Sequence, residues 1–370
     1  MTTELSLLTV SLLIVFLYQL YRIGSRDSTL PPGPPTVPLL GYKAKFSSDC
    51  FRSIHLKLSE WARKYGDFYS LKMGPETFII LTSAKAVKEF LDMRGPSTAD
   101  RPAAHIPEQV HEGYSLAFGR YSTALGSRWK LMRKTVHAIL TPASVEETYP
   151  IQFAESVQLL YDLLHDPKSH FQHVRRLLVS IIFSVLYGKR VPRYESYEAT
   201  SMFDLLHLEE QLFLPGAQLP VDTFPFLKYL PEGPLAPWKK KCRDLKGLHQ
   251  RVYFGSLEQC KDRIDRGESV GCLMEQIFER YQKEFGLTWQ EVSYIGGTLL
   301  PGGIDTSTSL LQGFILSPLP FECSIQPRNQ KIADLIHKHF VDAIDVFTQY
   351  EGALQQEDKE YVARIRSSLV

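Results

Sequence analysis

The sequence lacks the signatures of the commoner catalytic and binding chemistries. Its five cysteines (Cys50, Cys242, Cys260, Cys272 and Cys323) are scattered, with no C-x-x-C pair and no histidine at finger spacing. That pattern argues against a disulfide framework and a structural zinc site. H-E-x-x-H, G-x-S-x-G and G-x-x-x-x-G-K-[ST] are absent, which removes the metalloprotease, serine-hydrolase and P-loop signatures. Neither charge is in excess: 42 basic side chains face 41 acidic ones for a net +1, so no electrostatic footprint for nucleic acid exists. A hydrophobic core is not lacking. With 44% apolar and 12% aromatic residues, 370 residues can build one large core or two ordinary ones.

Leu5 to Tyr21 is a run of 17 uncharged residues followed by Arg22 and Arg26. Its length lies at the lower edge of a bilayer span, and no small-residue cleavage site follows it. The expectation is an uncleaved single transmembrane helix in residues 1–26, with the arginines holding the body on the cytosolic face. Residues 27–41 hold five prolines in the eight positions Pro31 to Pro38. Fixed φ and missing amide donors predict a stiff hinge that forms neither helix nor sheet.

Beyond the hinge, apolar residues at helical spacing predict helices over Phe51–Tyr65, Gly126–Leu140, Ser144–Leu164, His173–Tyr187, Lys239–Arg266 and Gly271–Phe285. A β-hairpin is expected from Asp67–Met73 and Thr77–Leu81, and Ser83 is placed to cap a helix running to Met93. Phe213–Trp238 reads as a proline-rich loop with too many aromatic residues to stay solvated, expected to pack on the body or dip into lipid. Thr288–Leu316 is a long apolar helix containing Gly296-Gly297 and Pro301-Gly302-Gly303-Ile304-Asp305-Thr306-Ser307. Glycine costs about 1 kcal/mol and proline about 3 kcal/mol inside a helix. Such expense fits a groove where a flat group approaches the backbone, and it also fits a tight helix crossing with a capped kink.

The order of these features resembles the cytochrome P450 superfamily, in particular its fungal microsomal members. The residues that carry the likeness are the apolar anchor, PPGPPTVPLLG, the first helix with its hairpin, Arg101-Pro102, Trp129-x-x-x-Arg133, GGIDTS at 302–307, and the loop LPGAQLPVDTFPFLKYLPEGP. The resemblance implies a mainly α fold with a small β-sheet region. It also implies haem as cofactor, electrons from an NADPH-dependent flavoprotein reductase, and oxidation of a hydrophobic small molecule in secondary metabolism or detoxification. The implied location is the endoplasmic reticulum membrane, single-pass, with lipid as a partner and no role for nucleic acid. Carried over by position, Trp129 and Arg133 would hold a haem propionate, Gly302 and Gly303 would form the groove over the haem, and Asp305 and Thr306 would relay protons. Pro301 departs from the small residue expected there.

The resemblance stops near Leu316, so the partial monooxygenase domain is placed at 42–316 and a divergent tail at 317–370. Neither the E-x-x-R helix nor the F-x-x-G-x-R-x-C-x-G loop, whose cysteine binds iron, follows it. Glu60-Trp61-Ala62-Arg63 fits E-x-x-R by letter only, and Cys323 lacks the glycine and arginine of the haem loop. No metal ligand is therefore assigned. The expectation is a truncated chain, inactive as written, that exposes an apolar core face. The alternative is a haem-less membrane-bound remnant. The tail still shows helical spacing at Ile332, Leu335, Ile336, Phe340, Ile344 and Phe347.

Overall fold

The computed structural model describes residues 14–15, 17–19, 21–38, 41–42, 54–214, 218, 221–222, 224–316 and 325–369. The chain forms two compact units, Met1–His105 with Leu212–Trp238, and Ile106–Gln211 with Lys239–Val370.

The first unit holds a four-stranded antiparallel sheet in the order β1 (Thr36–Val37), β2 (Gly41–Tyr42), β3 (Phe68–Met73), β4 (Glu76–Leu81). The hairpin forms where the alternating pattern places it, in register from Phe68 opposite Leu81 to Met73 opposite Glu76. Helix α1 (Ile54–Tyr65) buries Trp61 against Tyr69 and Leu71, and the Tyr69 hydroxyl donates to the Leu58 carbonyl at 2.9 Å. Ser83 caps the following helix by accepting from the Ala86 amide.

The proline-rich segment differs from the expected free spacer. Proline cannot donate, but its carbonyl still accepts. Pro32 O receives the Ser70 amide at 2.8 Å, Pro31 O receives the Ser70 hydroxyl at 2.9 Å, and Thr36–Val37 pairs with Gly41–Tyr42. Part of the hinge is therefore an edge of the sheet. The 213–238 loop packs in part, as its aromatic content leads one to expect. Ala236 and Trp238 are buried, with Trp238 edge-on to His105, yet Phe226, Tyr229 and Leu235 stay exposed.

The expected bilayer span and single-pass endoplasmic-reticulum location are corrected. Among the described residues no helix is long and apolar enough to cross a membrane. Of the apolar run, residues 5–13, 16 and 20 lie outside the described residues.

The second unit is helical: α2 (Gly126–Ile139), α3 (Tyr149–His165), α4 (His170–Tyr187), α5 (Tyr197–Phe213, whose last two residues cluster with the first unit), α6 (Pro237–His249), α7 (Gly255–Asp265), α8 (Trp289–Leu316), α9 (Gln330–Asp342), α10 (Ile344–Thr348) and α11 (Gln356–Ser367), with shorter turns between. The helix expected over Ser144–Leu164 breaks at Glu147–Thr148, because Pro150 is tolerated only in a first turn and so begins α3. Lys239–Arg266 is likewise interrupted by a π-helical turn at Gln250–Phe254. Helix α4 packs on both α3 and α8.

The tail, read as a divergent segment with helical spacing, is built into this unit over its described residues. Phe340, Ala343 and Phe347 are buried with Ile151, Ala154, Val157 and Tyr161 of α3. Buried ions tie the same region together. Glu155 accepts from Arg176 and Arg190; Arg190 also pairs with Glu351 at 2.6 Å and lies 3.5 Å over the Phe347 ring; Arg193 and Ser196 both reach Asp358. Burial pushes the Glu155 carboxyl up, but Arg190 and Arg176 outweigh it, so its pKa falls below the usual carboxylate value.

Candidate functional site

Helix α8 starts at a strong anchor. Thr288 and Glu291 have capping-box spacing, and Glu291 accepts from the Thr288 amide at 2.7 Å and from the Arg128 Nε at 2.6 Å. Arg128 also donates to the Gly286 carbonyl at 2.7 Å. Burial raises the Glu291 carboxyl, yet the Arg128 and Thr288 hydrogen bonds win and hold it low. The start of α2 is thus clamped to the start of α8. Neither residue was singled out above. Thr288-x-x-Glu291 was readable in the sequence as a capping box, but nothing in the spacing marks Arg128 as its partner.

The breakers of α8 divide into two kinds once the space around each is known. A Cβ on Gly296 would lie 2.2 Å from the Tyr187 hydroxyl, one on Gly297 2.3 Å from the Tyr253 ring, and one on Gly303 2.7 Å from Ile182 Cδ1. These three glycines let neighbours approach closely, as a tight crossing requires. Gly302 is different: a Cβ there would meet nothing within 4 Å. Asp305 and Thr306 are exposed, as Gly302 is, and the Thr306 hydroxyl donates to the Gly302 carbonyl at 2.7 Å. The helix continues unbroken through Pro301.

Within electrostatic reach of Asp305 lies a half-buried acid. Glu209 of α5 is pushed up to about 7, first by burial and then by the Asp305 charge. Its Oε1 is 3.5 Å from His249 Nε2, and burial pushes His249 down to about 3. A neutral imidazole beside a half-protonated carboxyl is a polar contact, not an ion pair. Glu209 can therefore gain or lose a proton near neutral pH within the electrostatic reach of Asp305.

On α2, Trp129 is half-buried and its indole N–H donates to the Leu116 carbonyl at 3.2 Å. Arg133 is exposed, with its guanidinium 5.5 Å from the Trp129 ring centroid. The two expected donors thus do not converge here. The indole is satisfied by backbone, and the guanidinium takes the ring face as its cation–π partner.

These residues fit a haem in part. An exposed arginine on α2 suits a propionate, and the open space at Gly302 suits a flat ring. An iron ligand is not supplied among the described residues. Cys242, Cys260 and Cys272 are all buried, outside any loop of the haem-binding type, and burial pushes the Cys242 thiol up to about 11. Cys50 and Cys323 lie outside the described residues.

Comparison with known proteins bears on the family and the fold. The family model for cytochrome P450 matches residues 31–317. The chain is 37% identical over 305 residues to a cytochrome P450 monooxygenase of Armillaria gallica, covering 82% of this chain and 56% of that protein. It is 37% identical over 307 residues to the cytochrome P450 monooxygenase ple5B of Rhodocybe pseudopiperita, with the same two coverages. It is also 31% identical over 316 residues to the cytochrome P450 monooxygenase atE of Aspergillus terreus, covering 85% and 57%. The chain spans about half the length of these curated relatives. In fold it is similar to a zebra fish cytochrome P450 solved with abiraterone, at a TM-score of 0.50 and 18% identity, over 72% of this chain and 59% of that one.

Proposed function

Because the chain belongs to the cytochrome P450 family, we propose that it carries the proton-delivery helix and a propionate-side contact of a fungal haem-thiolate monooxygenase acting on hydrophobic small molecules, in secondary metabolism or detoxification. The electrons would come from an NADPH-dependent flavoprotein reductase. The observation that carries the reading is the open face of α8, where an unobstructed glycine lies beside an exposed carboxylate and hydroxyl. When bound through a cysteine thiolate, haem supplies the oxygen chemistry of the family. This chain's own share is binding and proton handling. Arg133 offers a charge-assisted contact to a carboxylate, with Trp129 beneath it, and Gly302 leaves room for a ring. Asp305 presents its carboxylate to solvent on this face, and Thr306 offers its hydroxyl one residue further on.

The test is made in a chain extended with the segment of a close relative that carries the thiolate loop. There Thr306→Ala is expected to keep haem content and the carbon monoxide spectrum while NADPH is consumed with little product and peroxide is released. Loss of haem with normal coupling in the remainder would overturn the assignment.

A second reading is favoured by the close packing of the tail on α3. The 370-residue chain is then a folded protein that does not hold haem through a thiolate and does not catalyse. Its signature is the absence of a thiolate-type carbon monoxide band when the chain is expressed with haem supplied; a band abolished by Cys323→Ser would contradict it.

A further inference from the structure

Two cysteines that sequence spacing left unconnected lie together in the second unit. Cys260 is on α7, Cys272 caps the short helix Leu273–Gln276, and their sulfurs are 3.7 Å apart, both buried. Between them sits Arg263, whose Nη2 is 3.6 Å from Cys260 Sγ, 3.5 Å from Cys272 Sγ and 2.7 Å from Glu275 Oε1. Its Nη1 donates to the Tyr187 and Gly188 carbonyls at 2.7 and 3.2 Å. Glu275 in turn accepts from the Ser269 hydroxyl and from the Val270 and Gly271 amides.

Two sulfurs and a carboxylate so close together form a possible metal-ligand set. The guanidinium decides against that use, because a fixed cation already touches all three groups and is held there by two carbonyls. A positive charge against a pair of thiols instead favours thiolate chemistry.

We propose that Cys260 and Cys272 are a redox-active dithiol that closes to an intramolecular disulfide on exposure to hydrogen peroxide. The Cys260 thiolate attacks one peroxide oxygen, the O–O bond breaks, and hydroxide leaves and takes up the thiol proton as water. The Cys272 sulfur then attacks the resulting sulfenic acid. The S–S bond forms, the S–O bond breaks, and a second water leaves with the Cys272 proton. Two thiols lose two electrons and one peroxide becomes two waters.

The roles follow from the surroundings. The Cys272 hydrogen bond and the Arg263 charge outweigh burial and hold the Cys260 thiol below its ordinary value, whereas burial holds Cys272 well above it and keeps it protonated. The sulfurs are already in van der Waals contact, about 1.7 Å short of the bonded distance of about 2.05 Å. The intervening segment is exposed at residues 265–269 and at Gly271, and Gly267 and Gly271 have left-handed backbone that lets it turn without strain.

The experiment treats the folded 370-residue chain with hydrogen peroxide, alkylates it after denaturation, and maps the peptides by mass. The expected result is one cross-linked peptide pair containing Cys260 and Cys272, reversed by dithiothreitol, with Cys242 still alkylated. Cys260→Ser and Cys272→Ser should each lose the cross-link while keeping the wild-type circular dichroism. Since the peptide map is made on the unmodified chain, it stands even where a variant folds poorly. Both thiols remaining free after treatment, or Cys260 overoxidised to sulfinic acid beside a free Cys272, would overturn the proposal. So would stoichiometric zinc retained through gel filtration and lost in Cys272→Ser.

Discussion

The exposed side of α8 and the carboxy-terminal helices belong to the same unit and are built on opposite terms. The α9–α11 region buries its charged groups and pairs them: Glu155, Arg190, Glu351, Arg193 and Asp358 form contacts between elements far apart in sequence, around Phe340 and Phe347. The 302–306 stretch spends a glycine where no neighbour needs the room and leaves a carboxylate and a hydroxyl in solvent. Costly residues with a packing partner explain themselves by folding. Costly residues without one point to something that binds.

Breaking the buried network should therefore have the largest effect on stability. Arg190→Ala leaves the fully buried Glu155 with Arg176 and Ser180 alone and takes a partner from Glu351, a loss toward the lower end of the about 3–5 kcal/mol that removing a buried ionic partner costs. Chemical denaturation should show that loss, and a cost below about 1 kcal/mol would mean the tail is not held as described. Phe347→Ala removes a ring packed against α3 and Arg190, for a loss of about 3 kcal/mol.

Acid should act next, through His249. Its folded pKa of about 3 lies below the ordinary 6.5, so its neutral form contributes stability that is complete above pH 6.5 and lost as pH falls toward 3. Its own share of the slope is up to about 1.4 kcal/mol per pH unit in that window. The stacked His111, also pushed down to about 3, adds a like share, and Glu209, pushed up to about 7, opposes them above pH 4.5. His249→Phe should therefore lower the slope by its share. An unchanged slope would show that the histidine does not titrate on unfolding.

How much of this was legible beforehand follows from which interactions are local. The hairpin, the Ser83 cap, and the extents of α2 and α8 rest on alternation, spacing and neighbouring residues, and they stand within a residue or two of where the pattern places them. The break before Pro150 was also local, and was misread by letting apolar spacing outrank proline. The Arg190–Glu351 pair spans 161 positions, and no periodicity links such residues. For α8 the chemistry-bearing letters were visible, but which glycine serves packing and which faces open space depended on Tyr187, Tyr253 and Ile182, side chains from other helices.

The smallest effect is the sharpest within α8. Gly302→Ala should stabilise by up to about 1 kcal/mol, the ordinary helix gain. Gly303→Ala should forfeit part of that gain, because its new methyl presses on Ile182 Cδ1. Equal melting shifts would erase the distinction between the two glycines.

The most direct measurement puts a bulky side chain on the open face. Gly302→Leu is made both in the 370-residue chain and in the chain extended with the thiolate-loop segment of a close relative. The account predicts a melting temperature no lower than the parent's in the first, and loss of bound haem, read from the Soret absorbance per mole of protein, in the second. Full haem content in the extended Gly302→Leu protein, or unfolding of the shorter one, would contradict the assignment of this face to the cofactor.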